Sequence, residues 1–84
     1  MTPLADLEVS TEDDVVVARI VGEVDMSNAE ELTTALAASM DAHARAMVLD
    51  LTTVDYLDSA GIRLLYRLGE GLQARRQTLQ VVIP

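Results

Sequence analysis

The densest run of side chains able to do chemistry is Thr52-Thr53-Val54-Asp55-Tyr56-Leu57-Asp58-Ser59-Ala60-Gly61-Ile62. It offers a hydroxyl close to two carboxylates, at a point where a helical pattern begins. One role is purely structural: Asp58 or Ser59 caps the helix by accepting from its free backbone N–H groups. A second role is open as well. A phosphate on Ser59 would carry about −1.5 to −2 charges at neutral pH. A helix N-terminus meets such a group with free N–H donors and a positive pole. Placed beside Asp55 and Asp58, the added charge would change what can bind there without unfolding the domain. That is a surface switch.

Other chemistries have little to stand on. The chain has no GxxxxGK[ST] phosphate loop, no GxGxxG fingerprint and no GxSxG nucleophile elbow. A single histidine leaves a Ser-His-Asp triad formally open. However, His43 sits among Asp41, Ala42, Ala44 and Arg45 and reads as a solvated residue at a helix terminus. With no cysteine and one histidine there is no ligand set for zinc. Asp13-Asp14 and Glu30-Glu31 are adjacent acids without the spacing of a calcium loop, and read as solvated turn and helix-start charges. The expectation is a chain with no catalytic residue, no metal and no cofactor, acting by binding and not as an enzyme.

The elements that would position Ser59 are legible from hydrophobic periodicity. Leu7-Glu8-Val9-Ser10 alternates as a short strand, Thr11-Glu12-Asp13-Asp14 is a polar turn, and residues 15–21 form a β-branched strand. The short link makes these two an antiparallel hairpin, and Gly22 ends the run. Ser27 with Glu30 matches a capping box. Ala29, Leu32, Leu36 and Met40 follow as one apolar stripe of a helix ending near residues 41–44. Residues 46–51 form the next strand and 52–57 a loop. A second helix starts at Asp58 or Ser59, with a buried stripe of Ile62, Leu65, Leu68 and Leu72 widened by Leu64. Arg75 and Arg76 suit its C-terminal pole, while Gly69 and Gly71 each weaken it by roughly 1 kcal/mol relative to alanine. Residues 78–83 form a last strand. The order β-β-α-β-α-β implies an α/β fold: two right-handed crossovers give parallel pairing, the hairpin adds an antiparallel edge, and helices pack on a mixed sheet. Ser59 then lies at the C-terminal end of a parallel strand, where open α/β sheets usually take their ligands.

Composition bounds the setting. Eighty-four residues predict one domain, residues 1–84. Half of them are hydrophobic, yet Tyr56 and Tyr66 are the only residues among Phe, Tyr and Trp, so the core rests on Val, Leu, Ile, Met and Ala. Fourteen acids face six bases, all of them arginine, for a formal net charge of −8. Such a surface repels phosphate backbones and anionic lipid, so the expectation is no direct nucleic-acid or membrane partner. It favours a partner with a basic face, or serves solubility alone. No apolar run approaches the roughly 18 residues of a membrane span, and residues 1–12 lack the pattern of a signal peptide. With no cysteine, the expectation is a cytoplasmic protein.

Two segments together carry a resemblance. Val21-Gly22-Glu23-Val24-Asp25 before a capped helix resembles the Gly-x-hydrophobic-Asp signature of STAS-domain anti-sigma factor antagonists. Val48-Leu49-Asp50-Leu51, then Val54-Asp55-Tyr56-Leu57-Asp58-Ser59-Ala60-Gly61, resembles that family's strand and Asp-Ser-x-Gly segment. The resemblance covers residues 7–84 and the element order. It implies a STAS-like mixed sheet and makes Ser59 the phosphoacceptor. Asp25, Ser27, Asp55, Asp58, Ser59, Ala60, Gly61 and Ile62 become the partner-binding residues. The implied partners are a GHKL-type anti-sigma factor serine kinase, which supplies ATP and magnesium chemistry, and a serine phosphatase acting on phosphorylated Ser59. The unphosphorylated form would hold the kinase and so free the sigma factor; phosphorylation would end binding. A non-switching scaffold or accessory subunit of a stress-signalling or transport complex is the alternative. Ala60 replaces the second serine or threonine of many members. The family's usual further helix, strand and closing helix have no counterpart after Pro84, so the C-terminal part of the usual fold is expected to be missing. A sheet or helix face left bare would invite a homodimer.

Overall fold

The computed structural model describes residues 4–84. Seven elements run in the order β1 (Ala5–Glu12), β2 (Val15–Val24), α1 (Ala29–Ala38), β3 (Ala46–Asp50), β4 (Val54–Leu57), α2 (Ser59–Ala74) and β5 (Thr78–Val82). They form a two-layer α/β domain, a mixed sheet in the order β1-β2-β3-β5 with β4 also paired to β2. The hairpin is as expected but longer, with eight residue pairs from Ala5↔Gly22 to Glu12↔Val15. Its turn is Asp13-Asp14 alone, and Asp13 takes the left-handed φ of 55° that a short polar side chain tolerates. β2–β3 and β3–β5 pair in parallel.

The sheet alternates, and the alternation defines the core. Val16, Ala18 and Ile20 of β2 and Met47 and Leu49 of β3 point to one face and are buried. Both helices cover that face, with Leu32 and Leu36 from α1 and Leu64, Leu68 and Leu72 from α2 in the same cluster. Leu36 and Leu49 are fully buried, and burial of such a side chain is worth roughly 1.5–3 kcal/mol. The opposite face presents Val15, Val17, Val21 and Val48, half-buried. There Arg19 crosses between Glu8 (4.0 Å) and Asp50 (3.7 Å).

The segment expected as a loop at 52–57 contains a strand. β2 has two edges, and β1 occupies one of them along its length. β3 covers the first half of the other edge, up to Arg19↔Asp50. The chain then turns at Thr52-Thr53, closed by the Val54 N–H donating to the Leu51 carbonyl at 3.0 Å. It rejoins the same edge as β4, pairing Gly22↔Val54, Glu23↔Tyr56 and Val24↔Leu57. Gly22 therefore does not end β2, which continues to Val24. It marks a register shift, at φ +119°, where a Cβ would lie 2.5 Å from the Leu4 carbonyl oxygen.

Both helices differ from expectation in detail. α1 stops at Ala38, short of 41–44. The Asp41 carboxylate then accepts from the N–H groups of His43 and Ala44 and shapes the following turn; His43 is exposed there. α2 buries Gly61, Leu64, Leu68 and Leu72. Leu64 is central to the stripe, Leu65 is only half-buried, and Ile62 faces out at 47% exposure. The cause is Gly61: its missing side chain lets the first turn of α2 sit on Leu57, where a Cβ would come within 2.4 Å of Leu57 Cγ. The buried face is rotated toward the glycine and away from the isoleucine. α2 ends with Gln77 N–H donating to the Leu72 carbonyl and Arg76 N–H to that of Gln73. Arg76 stands at φ 60° where glycine is the usual choice.

Candidate functional site

The site lies where two adjacent parallel strands end. Val24 and Leu57 are register partners, and the Asp58 N–H donates to the Val24 carbonyl at 3.3 Å. The loop after β2 (residues 25–28) and the start of α2 are therefore neighbours. This brings Asp25 and Ser27 from one segment together with Asp58, Ser59 and Ala60 from the other, although some thirty positions separate them in sequence.

The loop after β2 is closed by its own side chains. Asp25 Oδ1 accepts from the Ser27 N–H (2.8 Å) and the Ser27 hydroxyl (2.5 Å). These two bonds, the hydroxyl first, hold the Asp25 carboxyl below its ordinary pKa. Asn28 closes the loop from the other side: its Oδ1 accepts from the Asp25 N–H (3.0 Å) and its Nδ2 donates to the Glu23 carbonyl (2.9 Å). The expected capping box is absent. Asn28, not Ser27, is the N-cap residue of α1, and it makes no side-chain cap bond. Ser27 is already engaged by Asp25, one position too early to reach the first turn. Instead the Asp25 carbonyl accepts from the Ala29 N–H at 3.0 Å.

The start of α2 is built the other way. Asp58 is extended (φ −100°, ψ −165°), and its carboxylate accepts from Ala60 N–H at 2.8 Å and Gly61 N–H at 3.4 Å. Asp58 is thus the cap, and Ser59 is not needed for it. Ser59 is exposed as the first residue of α2. Its hydroxyl makes no hydrogen bond within the described residues. Ala60 is half-buried and Gly61 buried, so Gly61 contributes by close packing and offers no surface of its own.

Two open grooves of mixed character are lined by residues near Ser59 in sequence. Asp55, Tyr56 and Ile62 line a shallow groove on one side, with Leu51, Val54 and Ile83. Between α1 and α2 lies a second groove, lined by Met26, Thr33, Arg63 and Arg67 among others. Met26 is 85% exposed and Tyr56 52%, and neither stood out in the sequence as a site residue. The Asp-x-Ser-Asn composition around Met26 is the available signal, because such residues bond to their own backbone and form tight loops that push the intervening side chain outward. Among the described residues no group of three or more His, Cys, Asp or Glu side chains could hold a metal. No described helix is long and apolar enough to cross a membrane.

Comparison with known proteins gives a consistent result. The family model of the STAS domain matches residues 6–83. A Bordetella bronchiseptica protein named as an anti-sigma factor antagonist, BtrV, is 39% identical over 61 residues, which are 73% of this chain and 53% of that protein. The chain thus spans about half the length of this curated relative. An anti-sigma factor antagonist from Mycobacterium paratuberculosis superposes with a TM-score of 0.83 at 32% identity, over 94% of this chain and 67% of that one. A segment of the protein Mglu superposes with a TM-score of 0.80 at 31% identity, over 92% of this chain but only 19% of that one.

Proposed function

The chain belongs to the STAS domain family, and on that premise we propose that it is an anti-sigma factor antagonist switched by phosphorylation of Ser59. The unphosphorylated surface binds a GHKL-type anti-sigma factor that is also a serine kinase, and the sigma factor is freed. The kinase brings ATP and magnesium and transfers the phosphoryl group, so this chain is ligand and substrate without being an enzyme. A serine phosphatase restores the binding form. Asp25, Ser27, Asp55, Asp58, Ser59, Ala60 and Ile62 face or frame the partner, and Gly61 seats the helix that carries Ser59.

One observation carries the reading. Asp58 performs the cap, which leaves the Ser59 hydroxyl exposed and structurally unemployed at the point where two strand ends meet. A serine kept only for capping would be bonded to the helix it caps. A phosphate added there meets the carboxylate of Asp58 and covers a surface bounded by Met26, Tyr56 and Ile62, so a partner fitted closely to that surface is displaced by the bulk of the hydrated group. The net charge of −8 favours a partner with a basic contact face.

The test is binding to the cognate kinase. Ser59→Ala should bind as the parent does, while Ser59→Glu should lose at least about tenfold in affinity, roughly 1.4 kcal/mol. Equal binding by both variants would end the switch reading. A second reading has the Mglu match behind it, in which a like domain forms a small part of a longer chain. In that case the domain is a scaffold or accessory module, and Ser59 is a contact residue without modification.

A further inference from the structure

A phosphate on Ser59 needs a counter-charge, and the three helix N–H groups that follow Ser59 are already bonded. The N–H groups of Ala60 and Gly61 are taken by the Asp58 carboxylate, and that of Ile62 by the Asp58 carbonyl at 3.1 Å. Asp58 also adds a negative charge beside the site. The side chains of α2 offer what those N–H groups do not. Arg63 follows Ser59 by four residues and lies one turn along the same exposed face. Side chains so spaced have Cβ atoms about 5–6 Å apart, within reach of a guanidinium and a phosphate. Arg67 stands one turn further on, also exposed. The ion pairs among the described residues engage Arg19 and Arg45, so neither Arg63 nor Arg67 is held by a carboxylate. Glu30 lines the same inter-helix groove as both arginines without pairing to them. Four of the six arginines, 63, 67, 75 and 76, lie on α2 or its C-terminal turn, where Glu70 is the one acid.

We infer that Arg63, supported by Arg67, binds the phosphate of phosphorylated Ser59, so that the modified domain holds its own phosphate against the exposed face of α2. This rests on the reading of Ser59 as the phosphoacceptor. A guanidinium suits the role because its planar fork can donate to two phosphate oxygens at once. The pairing gives phosphorylation a second effect besides added charge and bulk: it withdraws Arg63 from the surface offered to the partner.

Genetically encoded phosphoserine at position 59 provides the modified protein without any kinase. Phosphorus NMR then follows the second ionisation of the phosphate against pH in the parent, R63Q and R67Q. A nearby guanidinium favours the dianion, so R63Q should move the midpoint up by about half a pH unit, and R67Q by less. The difference should shrink in 1 M salt, where the screening length is about 3 Å. Helix dipole and Asp58 act alike in all three proteins and cancel from the comparison. Equal midpoints in the parent and R63Q would overturn the pairing. Kinase binding by the same phosphoserine protein is read separately. A shifted midpoint with undiminished binding would sink the switch and leave the pairing; equal midpoints with lost binding would do the reverse.

Discussion

Ser27 and Ser59 stand at comparable places, each near the start of a helix that follows a parallel strand, and both are exposed. Their hydroxyls are spent differently. Ser27 donates to Asp25 at 2.5 Å and helps close a loop whose helix begins without a side-chain cap. Ser59 has a dedicated capping neighbour in Asp58 and donates to nothing in the described chain. An acid two residues before a serine consumes it, whereas an acid immediately before it, acting as the helix cap, releases it. A phosphate on Ser27 would be forced directly against the Asp25 carboxylate, while one on Ser59 has Arg63 a turn away. Hydroxyl and exposure are alike in the two places; Ser27 lies just before its helix cap, Asn28, and Ser59 just after its own, Asp58, and with that goes the different position of the acid.

Substitutions at three positions probe the two helix starts. Gly61→Ala should have the largest effect. The new Cβ would meet Leu57 Cγ at 2.4 Å, and overpacking of this kind costs typically about 1–3 kcal/mol. Denaturant unfolding should show that loss, with the start of α2 displaced and kinase binding weakened along with it. An unchanged midpoint would mean that Gly61 does not set the seat of α2. Asp58→Ala comes next, at about 1 kcal/mol for a lost cap. With the cap gone, Ser59 is the nearest side chain able to replace it and should become a poorer phosphoacceptor. Asp58→Asn keeps a good cap, so stability should be nearly that of the parent. If Asp58→Ala is as stable as the parent, the division of labour between Asp58 and Ser59 is wrong.

Ser27→Ala should have the smallest effect on stability, because the hydrogen bond it removes is exposed to solvent. Its sharper signature is in titration. Bonds from Ser27 lower the Asp25 pKa, and bonds from Thr52 lower that of Asp50. A carboxylate depressed in the folded state contributes stability that is fully present above its unfolded value of about 3.9 and lost as pH falls through the lower folded value. Carboxyl chemical shifts should therefore show Asp25 titrating below the ordinary range in the parent and closer to it in Ser27→Ala, with Asp50 unmoved. Kinase binding and phosphorylation at Ser59 should survive this change.

What the sequence conveyed followed the range of the interactions involved. The β-β-α-β-α-β order was readable because each of those elements carries its own period. β4 was not: Val54-Asp55-Tyr56-Leu57 is four residues long, and it becomes a strand only because the far end of β2 has a vacant edge beyond β3. Hydrophobicity and spacing place Ile62 in the core, but helix placement is set by how closely Gly61 approaches Leu57, and a missing side chain leaves no mark in an apolar stripe. The capping rule succeeded at Asp58, where the bond is local and unopposed. It failed at Ser27, where Asp25 competes for the hydroxyl and Asn28 draws the loop back toward Glu23. Of the candidate site, Ser59, Asp58 and Asp25 were identified by motif; that they meet through Val24 and Leu57 depended on β4.

The most direct test of the switch is phosphosite mapping by mass spectrometry on the protein isolated from its native cells, growing and stressed. Phosphate is expected on Ser59 and none on Ser27, with an occupancy at Ser59 that differs between the two conditions. An unmodified Ser59 in both, or phosphate on Ser27 instead, would contradict the switch.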